Sequence, residues 1–250
     1  HVDLFGGMQI RIGDELIATK MLSRKKTKLL LAMLVINRGR EVSKSQIVKM
    51  LWPEGDVDTY KRNFYSVWSQ LKKALSYNGS CPYLIRTQSG CRLDGRYLQS
   101  DIVRFDELCR TLLFGSENPI SWEMLYSQVS EEFSEDLLPS LIGNDEIDLL
   151  RDKYRESLID GLIATSARLN SMGEPRGALW FAREAIRRND KREDAYIALM
   201  EAQISSNQRG GALETYFTCR RFLSEELGID PSMKVMELYR SIIECEEVFE

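Results

Sequence analysis

Histidine is all but missing from this chain: His1 is the only one in 250 residues. One terminal imidazole cannot build a Ser-His-Asp triad or a histidine zinc site. Cysteine is scarce as well, with five residues, Cys81, Cys91, Cys109, Cys219 and Cys245, and no Cys-x-x-Cys pair. That argues against a zinc ribbon or a disulfide framework and fits free thiols in a reducing cytoplasm. No apolar run reaches the ~18 residues of a membrane span, and no signal peptide stands before the first strand-like segment. Neither a Gly-x-x-x-x-Gly-Lys-Ser/Thr loop nor a Gly-x-Gly-x-x-Gly turn occurs, so nothing points to a nucleotide or another cofactor. Acidic clusters such as Glu131-Glu132 and Glu244–Glu247 fall on helical stretches and read as solvated faces, not metal ligands. The expectation is a cytoplasmic protein that is not an enzyme and holds no cofactor or metal. Structured-looking sequence begins at once, so the chain is expected to be a piece of a longer one.

What is present divides into two halves of opposite charge. Residues 1–100 hold 17 Lys+Arg against 8 Asp+Glu, and residues 101–250 hold 17 against 30, so +9 and −13 combine to the net −4. A length of 250 residues allows two full cores. The split predicts a basic module that meets polyanions and an acidic one that does not.

In the basic half, Val2–Phe5, Met8–Ile12 and Glu15–Ala18 read as short strands separated by Gly6-Gly7 and Gly13-Asp14. Ser23 is placed to cap a helix running to Ile36, and Asn37-Arg38-Gly39 stops it. Ser43 and Gln46, three apart, form a capping box for a second helix that Pro53 ends. An acidic loop, Pro53–Asp58, leads into Thr59–Leu75. There Tyr60, Phe64, Val67, Trp68, Leu71 and Leu75 make one apolar stripe. The opposite face carries Arg62, Ser66, Ser69 and Lys73, with Thr59, Asn63 and Gln70 beside them and no carboxylate. Such a face suits a groove lined by phosphates and base edges. A hairpin, Tyr83–Thr87 and Cys91–Leu93, follows and carries Arg86 and Arg92.

The acidic half is helical almost throughout, with helices expected over 101–113, 122–133, 145–172, 174–189, 190–208, 209–227 and 231–248. A period of 34 runs through it: Ala178 and Ala212, Ala185 and Cys219, Leu162 and Tyr196, Leu169 and Gln203, Ala182 and Tyr216. That is the tetratricopeptide (TPR) spacing of stacked helix pairs.

Strands, helix, helix, loop, helix and hairpin are the order of a winged helix. Leu4-Phe5-Gly6-Gly7, Leu51-Trp52-Pro53, Leu71-Lys72-Lys73-Ala74-Leu75 and Gly90-Cys91-Arg92-Leu93 resemble the output domain of OmpR/PhoB-type regulators. In particular they resemble the version in SARP (antibiotic regulatory protein) transcription factors. Asp190–Tyr196, Ala212–Tyr216 and Leu223–Ser232 resemble the bacterial transcriptional activator domain that follows the winged helix in those proteins. Two positions depart from the pattern. Two-component relatives often carry arginine where Ser69 and Gln70 stand, and Cys91 replaces an aromatic residue of the wing, where it is expected to be a small core side chain.

The fold expected is an α+β winged helix-turn-helix domain over residues 2–98, followed by an all-α TPR-like helical repeat domain over 99–250. The resemblance implies a sequence-specific DNA-binding transcriptional activator. Its expected DNA-binding residues are Arg62, Asn63, Ser66, Ser69, Gln70 and Lys73 in the major groove, Ser43, Lys44 and Lys72 on phosphate, and Arg86, Gln88 and Arg92 on the wing. Glu54, Asp56 and Asp58 lie in the loop that can meet RNA polymerase. Expected partners are double-stranded DNA, RNA polymerase, a second copy on tandem repeats, and an upstream sensor or receiver domain, with no membrane. The alternative is a TPR-type protein-interaction scaffold, or the output fragment of a larger signalling protein.

Overall fold

The computed structural model describes residues 1–17, 22, 24–116 and 120–244. Ser23, Ala18 and Cys245, together with the expected last turn of the final helix, lie outside the described residues. The chain forms two compact units, one of residues 1–107 with 131–154, the other of 108–130 with 155–250.

The first unit opens with strands β1 (Val2–Asp3), β2 (Gln9–Ile12) and β3 (Glu15–Leu16), paired antiparallel in that order. Gly13 takes φ +59 in the two-residue turn between β2 and β3, a conformation only glycine adopts without strain. Helix α1 (Lys25–Ile36) is buried without a break from Leu29 to Val35. A helix apolar on every side must be surrounded. Around it lie strand β4 (Val42–Ser43), helix α2 (Lys44–Leu51), helix α3 (Val57–Ala74) and the strands β5 (Leu84–Arg86) and β6 (Gly90–Leu93). The second sheet runs β4-β6-β5, so the hairpin is widened to three strands by the residues that lead into α2. Ser43 caps α2 as its spacing implies: its hydroxyl accepts from the Gln46 amide at 3.3 Å, and the Gln46 side chain accepts from the Ser43 amide at 2.9 Å.

This unit is not confined to 2–98. It also takes in residues 99–107 and 131–154, from a stretch read in the sequence as part of one helical domain. Helix α4 (Asp101–Phe114) begins with a buried carboxylate, Asp101, which accepts from the amides of Leu4 at 2.6 Å and Phe5 at 2.7 Å. Residues 133–144 are not helical. The Leu138 amide donates to the Leu4 carbonyl at 2.9 Å, and Leu137 bridges Phe5 like one residue of an added strand. Leu137, Leu138, Leu141 and Ile147 complete the core around α1. Phe5 stacks on Phe105 at 4.6 Å and meets Phe133 and Tyr154 edge-on. Asn144 ties the return: its side-chain amide donates to the Met50 carbonyl at 2.9 Å, and its oxygen accepts from the Ile147 amide at the start of helix α6 (Asp145–Ser171). Apart from Asn144 and Ile147, these partners are 90 or more residues apart in sequence, and hydrophobic periodicity carries no trace of such pairings.

Burial pushes the Asp101 carboxyl up to about 6, with the two amide bonds only partly opposing it. The native state therefore keeps a proton that the unfolded chain has released, between about pH 4 and pH 6. Stability from this group is fully present below about pH 4 and is lost as pH rises through 6. Charging it costs ~3 kcal/mol relative to an unperturbed aspartate. Thermal melts of Asp101→Asn should show a flatter dependence on pH from 4 to 6.5 than the parent chain. Parallel profiles would refute the assignment.

The second unit holds helix α5 (Trp122–Ser127), helix α7 (Pro175–Arg188), helix α8 (Glu193–Ser205), helix α9 (Arg209–Phe222) and helix α10 (Met233–Glu244), with the adjoining parts of α4 and α6. All five pairs at the 34-residue spacing are buried. Small residues occupy the close crossings: a Cβ on Gly161 would come within 2.8 Å of the Leu112 side chain. Thr165 donates to the Leu112 carbonyl and Ser166 to that of Ala178, so the two buried hydroxyls are satisfied by neighbouring helices. Two helices end earlier than periodicity implies. α5 passes at Gln128 into a π turn, and α9 does so at Leu223. Gly228, at φ +65, then stops the chain where expected, with the Ile229 amide on the Leu223 carbonyl at 3.1 Å.

Candidate nucleic-acid interface

Helix α3 starts two residues before the expected Thr59, because Asp56 caps it. The Asp56 carboxylate accepts from the Thr59 amide at 2.8 Å, and Thr59 Oγ1 accepts from the Asp56 amide at 3.2 Å. Donation from the Thr59 amide, and from its hydroxyl at 3.0 Å, holds the Asp56 carboxyl below its ordinary range. The acidic loop is therefore shorter than expected. Glu54 is exposed in the turn, Asp56 is engaged as the cap, and Asp58 is in the first turn of the helix.

The stripe Tyr60, Phe64, Val67, Trp68, Leu71 and Leu75 is buried, with Tyr60 stacked on Phe64 at 4.4 Å. The other face presents Arg62, Asn63, Ser66, Ser69, Lys72 and Lys73, all exposed. Gln70 departs from expectation: it is half-buried, its oxygen accepts from Thr27 of α1 at 3.2 Å, and its nitrogen donates to Ser66 at 3.3 Å. It braces the helix against α1, so a base contact would cost it those bonds.

Strand register sorts the wing residues. Arg86 lies opposite Cys91, and Ile85 opposite Arg92. Opposed residues share a face and successive residues do not, so Arg86 is on the side that faces α3 and Arg92 is on the other. The Arg86 guanidinium sits 4.2 Å from the centre of the Tyr65 ring and donates to the Tyr65 hydroxyl at 2.8 Å. Tyr65 is 59% exposed, so this clasp joins wing to helix at the surface. The sequence holds one signal for it: Tyr65 is a large aromatic residue off the apolar stripe, on the polar side. Gln88 is exposed at the wing tip, whereas Arg92 is half-buried. The tip also carries an acid, Glu41, which accepts from Ser89 and is held below its ordinary carboxyl range by Ser89 and Thr87, with a smaller effect of Arg92.

The start of α2 is largely occupied. The Lys44 amide donates to the Ser89 carbonyl at 2.9 Å, and the Ser43 hydroxyl takes the Gln46 amide. Two of the groups a phosphate would use are thus already bonded. Lys44 itself is half-buried with its ammonium 5.9 Å from the Tyr60 ring centre. Cys91 is fully buried and its thiol is pushed up to about 12 by desolvation, so it packs the core as expected. What remains free to meet an anion is the α3 face, with Arg86 and Gln88 beside it. Among the described residues none of Arg62, Lys72, Lys73 or Arg86 is drawn into an ion pair.

The chain matches the model of the bacterial transcriptional activator domain over residues 127–243. Among solved structures it is similar to Mycobacterium tuberculosis EmbR in complex with a low affinity phosphopeptide. The TM-score is 0.76 and the identity 22%, over 97% of this chain and 64% of that one. At that identity the likeness speaks for the fold: a small β-sheet region and helix-turn-helix with a wing, then a helical domain. No curated protein matches the chain.

Proposed function

We propose that this chain is a SARP-type transcriptional regulator, a winged helix continued by a bacterial transcriptional activator domain, which binds DNA at defined sequences and activates transcription there. Helix α3 lies in the major groove and the wing on the adjoining backbone. The observation that carries this is the outer face of α3, which holds no acid from Thr59 to its end, with Arg86 of the wing clasped to Tyr65 at its edge. Arg62, Asn63, Ser66, Ser69 and Lys73 meet bases and flanking phosphates, Lys72 meets phosphate, and Arg86 and Gln88 follow the strand beyond. Arg92, Ser43 and Lys44 are left with a supporting share, since each is half-buried. RNA polymerase is the proposed protein partner, met through exposed Glu54 and Asp58, and a second copy is the partner on tandem sites. The function is one of binding, with no catalytic step.

Selection of bound oligonucleotides from a random pool, with residues 1–250 as bait, should enrich one sequence. On that site Lys73→Ala or Ser69→Ala should relax preference at particular positions. Arg86→Ala should weaken all DNA alike and lower the salt dependence by about one released counterion. An unenriched pool, or a site that the Arg62→Ala/Lys73→Ala double variant binds as tightly as the parent, would reject the reading in favour of a scaffold.

A further inference from the structure

A second surface lies on the helical unit, in the cleft between α5 and α7. Helix α7 brings Arg176, Leu179, Trp180 and Arg183 to one face, at spacings of three and four residues. Helix α5 lays Trp122 and Tyr126 across from them. The wall depends on Gly177. A Cβ there would come within 3.0 Å of the Trp122 ring and 2.8 Å of Leu169, so only glycine lets the indole rest on the α7 backbone. Tyr126 meets Trp180 edge-on at 4.6 Å. The cleft between them measures ≈ 520 Å³ and is almost wholly apolar.

The charges at its rim are unusual for this half of the chain. Helix α7 has four arginines. Arg187 and Arg188 are held by Glu184 at 2.6 and 2.7 Å. Arg176 and Arg183 are exposed and, among the described residues, hold no carboxylate, although residues 101–250 carry 30 acids against 17 bases. They stand seven residues apart on one helix face, about 10 Å, with Trp180 between. Glu123 is the one acid on the rim.

We propose that this cleft docks an acidic peptide segment of a partner protein, with an aliphatic or aromatic side chain seated among Trp122, Tyr126 and Trp180 and a carboxylate on each of Arg176 and Arg183. Two carboxylates about 10 Å apart on one face, with an apolar residue between them, occur at i and i+7 of a helix. Aromatic and arginine side chains around a dry centre are the make-up of protein interface anchors. Nucleic acid fits poorly, because two guanidinia cannot offset the acidic field of the surrounding half.

Selection from a displayed pool of random twelve-residue peptides on the 1–250 chain tests this. Enriched peptides should carry at least two Asp or Glu around a Leu, Phe or Trp. By fluorescence anisotropy, the best labelled peptide should bind the Arg176→Glu/Arg183→Glu variant at least tenfold more weakly. Both side chains are exposed and unpaired, so the melting curve and DNA affinity of that variant should match the parent. Trp180→Ala should also bind the peptide about tenfold more weakly, with the arginine pair deciding the matter if that variant is unstable. No enrichment, enrichment without acidic residues, or undiminished binding to the charge-reversed variant overturns the proposal.

Discussion

Residues 1–98 produced alone should fail to melt cooperatively and should bind a hydrophobic dye, while the full chain shows a sharp transition. The sequence pattern of a winged helix is complete by residue 98, but its core is not. Leu137, Leu138, Leu141 and Ile147 are each no more than 5% exposed, in the cluster built around α1. At ~1.5–3 kcal/mol for each buried side chain, their loss removes ~6–12 kcal/mol. A domain has only ~5–15 kcal/mol in all. Phe5 would also lose Phe105, Phe133 and Tyr154, and the Leu4 and Phe5 amides would lose Asp101. Circular dichroism melts of the two chains decide it. A cooperative transition for 1–98, within a few degrees of the full chain, would mean that the returning segment is dispensable.

A single methyl group at Gly90 should be nearly as damaging to the wing. Strand β4 passes so close to β6 that a Cβ at Gly90 would overlap the Val42 carbonyl oxygen and stand 2.8 Å from its carbon. Both are backbone atoms, so no rotamer change relieves the clash. The strands must part, which breaks the bond from the Lys44 amide to Ser89 and shifts Ser43, the cap of α2. Gly90→Ala should cost ~3 kcal/mol, lowering Tm by ~10 °C. It should also weaken DNA binding, because Arg86 sits opposite the next residue, Cys91. Gly79 is the control. It has φ +75 but open space around it, so Gly79→Ala should cost only ~1 kcal/mol, from backbone conformation alone. Equal melting temperatures for the two variants would show that β4 and β6 tolerate separation.

These two predictions come from different depths of legibility. The stripe on α3, the Ser43–Gln46 box, the buried Cys91 and the 34-residue register all lie in the amino-acid pattern, because each is a local or periodic demand. Asp56 as the cap of α3 was readable too, from its spacing to Thr59. The acidic, proline-led composition of 53–58, which suits a loop, masks it. The clasp of Arg86 on Tyr65 was not readable without strand register. A shift of one residue would have sent Arg86 to the far face and Arg92 to the helix. Gln70 looked like its polar neighbours, and only the position of Thr27 on α1 turns it inward. The largest departure, the return of residues 131–154 to the first unit, rests on pairings such as Leu138 with Leu4. An amphipathic segment shows that it has an apolar side, not which core it enters.

That return also sets a schedule. A growing chain presents α1 and the wing well before it presents Ile147, the last of the four side chains that close over them. At a synthesis rate of ~5–20 residues per second, the stretch from Leu98 to Ile147 takes roughly 2–10 s to make. Through that interval the winged helix exists with one side of its core uncovered, at the stage when aggregation or chaperone capture competes with folding. The winged-helix unit is thus finished late in synthesis, and only with a chain that is already building its helical unit.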